Sequence, residues 1–124
     1  MTLYEGKRVG SRVTVTREEC PDGPEDNRLQ APAVAHATSL PLRLDLAEHS
    51  PDGFEWGYGG SGPAQLALAL LADALGDDAP ALALCQAFKW EVVAVLPETH
   101  WQLSDRDIAE AARRLAAATR EAWD

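Results

Sequence analysis

The sequence has little of what cross-linked, secreted or membrane-spanning proteins are built from. Its 124 residues include two cysteines, Cys20 and Cys85, and we expect both thiols to remain free because the chain shows no export signal. The longest apolar run, residues 64–72, is broken by Gln65 and is too short to span a bilayer. The N-terminal residues carry charges where a secretory signal needs an apolar stretch. We therefore predict a cytoplasmic protein without a membrane segment.

Basic residues are also scarce, and they are unevenly placed. The chain has 11 Lys and Arg against 20 Asp and Glu, a net charge of −9. This balance opposes direct binding to nucleic acid, because affinity for phosphates comes mainly from cations. No Lys or Arg occurs from Leu44 to Phe88, so we interpret this stretch as an acidic surface for a basic protein partner. Its candidate residues are Asp45, Glu48, Asp52, Glu55, Asp77 and Asp78.

Histidine is rare as well, and its placement bears on metal binding. His36, His49 and His100 lie far apart, and none of them is within four residues of a cysteine. Structural zinc sites use closely spaced pairs of such ligands. We therefore predict neither a metal nor a cofactor.

Large apolar residues make up a small share of the chain, because so many of its hydrophobic residues are alanine. Leu, Ile, Val and Phe together number 26, whereas alanine alone numbers 22, and this low share of large apolar residues borders on the composition of disordered chains. Thirteen of the 26 lie in residues 63–103, and residues 18–39 hold only Leu29 and Val34. We predict a single domain over residues 1–124, folded around its second half, with residues 18–39 as a mobile loop.

Hydrophobic periodicity predicts an α+β fold. Val13 and Val15 alternate with polar residues and predict a hairpin over residues 3–17 that turns at Gly6–Gly10, while the alternating leucines of residues 40–46 predict a further strand. The 3.6-residue period predicts three helices, at residues 63–75, about 80–97 and 105–123. Their predicted caps are Gly76 after the first, Asp77 or Asp78 before the second, and a capping box over residues 104–107 before the third. We expect a two- or three-stranded antiparallel sheet packed against them, with the first helix buried. Residues 92–96 fit a strand equally well.

An aromatic and glycine-rich segment precedes the first predicted helix. Phe54, Trp56 and Tyr58 occupy alternate positions, and we favour their packing against that helix over contact with a ligand. The alternative is a ligand site, because a helix N-terminus presents free N–H groups and attracts negative charge. The candidate ligand-binding residues are Trp56, Gly57, Tyr58, Gly59, Gly60, Ser61, Gly62 and Gln65.

Two formal motifs overlap this segment. Gly57-x-Gly59-x-x-Gly62 matches the dinucleotide fingerprint, but no βαβ unit surrounds it, so we favour a role for these glycines in backbone conformation and close packing. Ser61 resembles the serine of a nucleophile elbow until proline replaces the last glycine at position 63. His49 or His100 would be its base, yet we favour Ser61 as a cap or turn residue.

Three tryptophans lie outside this segment. Trp90, Trp101 and Trp123 each carry an indole N–H, which needs an acceptor when it is buried. We expect these side chains to pack at helix interfaces. Trp123 is also a candidate for a self-association surface.

The stretch from His49 to Ala69, HSPDGFEWGYGGSGPAQLALA, resembles the signature of an uncharacterised family, a domain of unknown function found in bacteria, archaea, plasmids and phages. Further matching strings are Tyr4-x-Gly6, Gln86-Ala87-Phe88-Lys89, Leu96-Pro97 and Trp101-Gln102-Leu103. The resemblance covers most of the chain outside residues 18–39. It implies a small intracellular protein carried by mobile elements, and it brings no catalytic residue or cofactor.

Charge and resemblance together favour a binding function over catalysis. We expect a non-enzymatic protein that occupies the basic surface of a host protein, such as a defence or nucleic-acid-processing protein. The alternative is a small-ligand module in which the glycine-rich loop holds an anionic or nucleotide-like molecule, with Arg8, Arg12 or Arg17 supplying positive charge. The two hypotheses differ in whether these arginines reach the loop.

Overall fold

A sheet and a layer of helices enclose the core of this protein. The computed structural model describes residues 1–20 and 37–123, with side chains up to residue 118. Within that part the chain forms a four-stranded antiparallel sheet, in the order β3-β2-β1-β4, and three α-helices. The strands are β1 (Thr2–Val9), β2 (Arg12–Glu19), β3 (Thr38–Ser39) and β4 (His100–Ser104). The helices are α1 (Ser61–Leu75), α2 (Asp78–Glu91) and α3 (Asp105–Trp123). The predicted α+β class is confirmed.

The N-terminal hairpin is confirmed, with a tighter turn than the sequence predicts. β1 and β2 pair in the register Gly6↔Val15 and Val9↔Arg12, so Gly6 lies inside the strand. The turn is at Gly10, whose φ of 62° is accessible to glycine at little cost. Tyr4 and Val15 point into the core from adjacent strands.

The sheet has one more strand than the two or three that we expect from the sequence. β4 pairs with the free side of β1, in a register that sets Gly6 opposite Trp101. Trp101 is buried and Leu103 partly buried, while the intervening Gln102 is exposed. β4 was not predicted because it has only five residues, and an alternation of apolar and polar residues this short does not indicate a strand.

The predicted strand at residues 40–46 is wrong. Arg43 has a φ of 58°, a left-handed conformation that ends any extended run, and its carbonyl accepts a hydrogen bond from the N–H of Leu46 at 3.0 Å. Strand pairing stops just before this turn, where the N–H of Leu40 donates to the carbonyl of Val15 at 3.0 Å. The alternating leucines therefore reflect contact with the core, which Leu40 and Leu46 both touch, and not a ladder of strand hydrogen bonds.

Both ends of the predicted loop at residues 18–39 belong to the sheet. Glu18 and Glu19 complete β2, opposite Leu3 and Thr2 of β1. Thr38–Ser39 forms β3 against β2. Residues 21–36 of the predicted loop lie outside the described residues.

Helix α1 is the buried centre of the domain, as predicted. Every residue from Gly62 to Ala72 is buried, and the helix packs against both α2 and α3. Its alanines allow this close approach, since a helix that is apolar on all sides must be covered on all sides. Gly76 ends the helix with a φ of 64° and donates its N–H to the carbonyl of Ala72, which confirms the predicted glycine cap.

The other two helices begin at their predicted caps. The side chain of Asp77 accepts from the N–H of Ala79 at 3.2 Å and starts α2. Ser104 and Asp107 exchange two hydrogen bonds, each of 3.0 Å, in a reciprocal capping box at the start of α3. Between them α2 ends at Glu91 and a 3₁₀ turn follows at Val93–Val95. Residues 92–96 are therefore neither a strand nor a continuation of the α-helix.

Both cysteines are free thiols, as predicted. Cys85 is buried, and this burial raises the pKa of its thiol, whereas Cys20 is partly exposed. Among the described residues, no helix combines the length and the apolar character that crossing a membrane requires.

Candidate functional site

The aromatic and glycine-rich segment turns outward partway along its length. Trp56 is buried and Phe54 partly buried against the core, as the alternation predicts, but Tyr58 is 52% exposed. Gly57 lies between Trp56 and Tyr58, and its φ of 87° changes the direction of the chain. Its N–H donates to the carbonyl of Val93 at 3.0 Å. The expected core role thus holds for the first two aromatic residues and not for the third.

Contacts within the protein occupy the indole ring of Trp56. Its Nε1 donates to the carbonyl of Glu98 at 2.9 Å, and its ring meets that of Trp101 edge-on, with centroids 5.6 Å apart. The guanidinium of Arg8 lies 4.9 Å from the centroid of the Trp56 ring. Because only 1% of Trp56 is exposed, no free face remains on which a planar ligand could stack.

Of the three arginines expected near the glycine-rich loop, Arg8 reaches it. Its Nη2 and Nη1 donate to the two carboxylate oxygens of Glu55 at 2.6 and 3.2 Å. This two-pronged hydrogen bond lowers the pKa of Glu55 and raises that of Arg8, so both groups stay charged. Arg17 instead pairs with Asp73 and Glu19, and Arg12 is exposed on β2.

A cleft opens beside this ion pair. It encloses about 440 Å³, within the size range of small-ligand sites. The residues that line it are Arg8, Glu55, Trp56, Gly57, Tyr58, Leu96 and Glu98. Three of the predicted ligand-binding residues, Trp56, Gly57 and Tyr58, are therefore brought together with one of the expected arginines.

Two neighbouring glycines leave room for two exposed aromatic rings. A Cβ added to Gly59 would lie 2.2 Å from Cη2 of Trp90, and one added to Gly60 would lie 2.7 Å from Cε2 of Tyr58. The ring of Trp90 therefore rests on the backbone of Gly59, yet 61% of Trp90 is exposed. We call Tyr58 and Trp90, with Gly59 and Gly60 beneath them, the aromatic patch. The expectation that Trp90 packs at a helix interface is wrong.

The other two tryptophans differ from Trp90. Trp101 is buried over Gly6, and within the described residues its indole N–H has no hydrogen-bond acceptor. The side chain of Trp123 lies outside the described residues. Sequence reasoning did not find the exposure of Trp90, because it assigned all three tryptophans to helix interfaces, and Trp101 lies in a strand, β4, that was not predicted.

Gln65, a predicted ligand-binding residue, is fully engaged inside the protein. Its Oε1 accepts from the backbone N–H groups of His49 and Ser50 at 2.7 and 3.0 Å. Its Nε2 donates to the carbonyls of Leu42 and Ala47 at 2.6 and 3.1 Å. This buried amide thereby fastens the loop before the aromatic segment to α1, and no donor or acceptor of its side chain is left for a ligand.

The side chains of Ser61 and of its two candidate bases have different surroundings. Ser61 is exposed at the first position of the helix, and within the described residues no hydrogen bond joins it to His49 or His100. His100 lies instead on β4, where its Nε2 is 2.6 Å from the carboxylate of Glu5. Gly62 is buried at the helix start, and the Cβ of Glu55 is 2.7 Å from where a side chain of Gly62 would begin.

The dinucleotide motif lacks its structural context. Residues 54–56 form no strand, and the sheet is antiparallel throughout the described residues, so the glycines do not connect a parallel strand to a helix. In the dinucleotide fingerprint a ribose-binding acid follows about 20 residues on, where this chain has Asp77. Asp77 is instead the cap of α2. Among the described residues, no group of three His, Cys, Asp or Glu side chains is placed to hold a metal ion.

Two arginines from outside the acidic stretch form ion pairs with three of the six residues of the predicted acidic surface. Asp45 and Asp78 both pair with Arg43, at 3.1 and 3.2 Å, and Glu55 pairs with Arg8. Asp77 serves as a helix cap. Glu48 and Asp52 are exposed. A count of charges along the sequence misses these pairs, because their arginines approach only in the folded chain.

The fold and the site define a small α+β domain that carries an exposed aromatic patch beside a charged cleft. The chain belongs to the DUF6166 family, a family of unknown function, whose sequence model matches residues 4–114. The whole candidate site lies within that match. No curated protein and no solved structure matches the chain.

Proposed function

We propose that this protein is a non-enzymatic binding domain that contacts a basic protein partner through the aromatic patch. The observation that carries this proposal is the exposure of two aromatic side chains that rest on consecutive glycines, 52% for Tyr58 and 61% for Trp90. Tyr and Trp dominate the residues that contribute most to binding energy at protein interfaces. Each ring lies close to the backbone of a glycine, so a partner can cover the ring and the adjoining backbone together.

The charge of the protein supports a basic partner. Its net charge of −9 steers a positively charged surface toward it over long distances and repels other acidic proteins. Proteins that process nucleic acids present such basic surfaces. Occupying one of them, as an antagonist of a host defence or nucleic-acid-processing protein, is the biological role that we propose.

A small anionic ligand at the glycine-rich loop is the alternative, and one observation favours it. Arg8 lines the cleft together with Tyr58, as that hypothesis requires. The charges weigh against it, because Glu55 already pairs with Arg8 and Glu98 adds a second carboxylate to the lining. Glu55 also lies against Gly62 at the start of α1, where an anion would bind. We therefore favour the protein partner.

A pull-down at low and high salt, with the purified full chain as bait, tests the proposed function. We expect a stoichiometric partner that a Tyr58→Ser, Trp90→Ser double variant no longer retains. The matched control is Val9→Ser, which removes a 76% exposed apolar side chain from the hairpin. Circular dichroism checks that each variant is folded. Partner retention that is equal in the double variant and the control would overturn the aromatic patch as the binding surface.

A further inference from the structure

We infer that the cleft beside Tyr58 receives an arginine side chain of the partner, not an anion. This inference rests on the proposed function, since it names what the partner contributes next to the aromatic patch. The cleft has room for such a group at about 440 Å³, and its lining combines an exposed aromatic ring with two carboxylates. A guanidinium uses both features, since it stacks on aromatic faces and binds carboxylates through paired N–H groups.

The charges that line the cleft leave it with one net negative charge. Arg8 and Glu55 cancel through their hydrogen bonds of 2.6 and 3.2 Å. Glu98 is exposed, and Arg8 Nε donates to its backbone carbonyl at 3.2 Å. Its carboxylate attracts Arg8 without a hydrogen bond, so one guanidinium faces two carboxylates and one negative charge is left over. A bound cation would bring the net charge of the cleft to zero. An anion would instead be repelled by the additional carboxylate, because the charge of Arg8 is already neutralised by Glu55.

The cleft already contains one example of the chemistry that we assign to the partner. The guanidinium of Arg8 lies 4.9 Å from the Trp56 centroid and binds the carboxylate of Glu55 at the same time. Tyr58 and Glu98 are both exposed and both line the cleft, so an aromatic ring and a carboxylate are also available on its solvent side. A second guanidinium therefore finds the same two types of group there.

Trp90 is a poorer site for the incoming cation than Tyr58. The ammonium of Lys89 lies 4.5 Å from the centroid of the Trp90 ring, so a cation of this chain already occupies one face of that ring. The outer carbons of the ring also lie against the backbone of Gly59. Trp90 is thus suited to apolar contact, and Tyr58 to contact with the cation.

Titration of the full-length protein with short peptides tests this inference. The probes are nine-residue peptides in which glycine alternates with arginine, lysine or glutamate, and the readout is the NMR shift of the backbone amides of residues 57–60. We expect the arginine peptide to bind most tightly and the glutamate peptide not to bind. Glu98→Gln and Tyr58→Leu should each lower the affinity for the arginine peptide about two- to five-fold. This is the effect expected from the loss of one exposed ion pair or one cation–π contact.

Glu110→Gln is the matched control. It removes one negative charge from an exposed position on α3 that does not line the cleft. Equal weakening by Glu98→Gln and Glu110→Gln would show general attraction between opposite charges and would overturn the cleft as the site. Absence of binding by the arginine peptide would overturn it too. Neither result affects the pull-down with the Tyr58 and Trp90 variants, so failure of the inference is distinguishable from failure of the proposed function.

Discussion

The guanidinium of Arg8 holds the carboxylate of Glu55 through two hydrogen bonds, at 2.6 and 3.2 Å, across 47 residues of sequence. Arg8 belongs to β1, and Glu55 precedes the turn at Gly57 that exposes Tyr58. The pair therefore joins the sheet to the segment that carries the aromatic patch. Its position makes the patch sensitive to changes on a strand that does not itself contribute an aromatic ring to the surface.

The Arg8–Glu55 pair should make the stability depend on pH. Arg8 lowers the pKa of Glu55 below its ordinary value of 4.5, so the stabilisation is complete above that value and is lost as pH falls through the lower folded-state pKa. Glu55→Gln should therefore lower the urea midpoint at pH 7, and the difference from the wild type should shrink as the pH falls below 4.5. Urea unfolding between pH 3 and 7 measures this difference. A difference that stays constant over the whole range would contradict the assignment.

Replacing Gln65 should cost more than any exposed polar substitution. Gln65→Leu keeps the volume but leaves four backbone groups without their partner, two N–H groups and two carbonyls. At about 1 kcal/mol for each lost hydrogen bond, the expected loss is on the order of 3–4 kcal/mol. Gln86→Leu, on the exposed side of α2, is the control and should change stability by less than about 0.5 kcal/mol. A loss below about 1 kcal/mol for Gln65→Leu, measured by urea unfolding, would mean that the loop does not depend on this amide.

Gly6→Ala should destabilise the sheet through Trp101. The added Cβ would lie 2.2 Å from Nε1 and 2.3 Å from Cε2 of a buried indole, so either the ring or the strand must move. Overpacking of this kind costs about 1–3 kcal/mol or more. The same substitution should cost clearly less in a Trp101→Leu background, which a double-mutant cycle of unfolding free energies measures. Identical costs in the two backgrounds would rule out the clash as the cause.

Gly59→Ala should displace Trp90 with little loss of stability. Its Cβ would lie 2.2 Å from Cη2 of Trp90, but this ring is 61% exposed and can swing into solvent. We expect the unfolding free energy to fall by less than about 1 kcal/mol, because no buried contact of the core is lost. The fluorescence attributable to Trp90, obtained by difference from Trp90→Phe, should shift to longer wavelength. The proposed partner should also bind less tightly to Gly59→Ala than to the wild type, and an unshifted spectrum would refute the role of Gly59 as a seat.

Local signals predicted the helices well, whereas the sheet and the site depended on distant contacts. The cap at Asp77, the capping box at Ser104 and the glycine at position 76 each act within a few residues, so the sequence shows where the helices begin or end. The turn at Arg43 carries no comparable signal, because its left-handed conformation is unusual for arginine. One carboxylate partner of Arg43 is Asp78, which lies 35 residues later in the chain, on α2, so local sequence does not reveal the contact.

The sequence by itself determined the α+β class, the buried α1 and the position of the segment from Phe54 to Gly62, because hydrophobic period, capping and glycine content are properties of neighbouring residues. Only the tertiary structure decided which aromatic rings of this segment face outward and which carboxylates of the acidic stretch remain unpaired. Trp56 became a core residue and Tyr58 a surface residue because Gly57 turns the chain between them. Arg8 and Arg43 neutralised carboxylates of a stretch that has no basic residue of its own, since ion pairs depend on distance in space and not on separation along the chain.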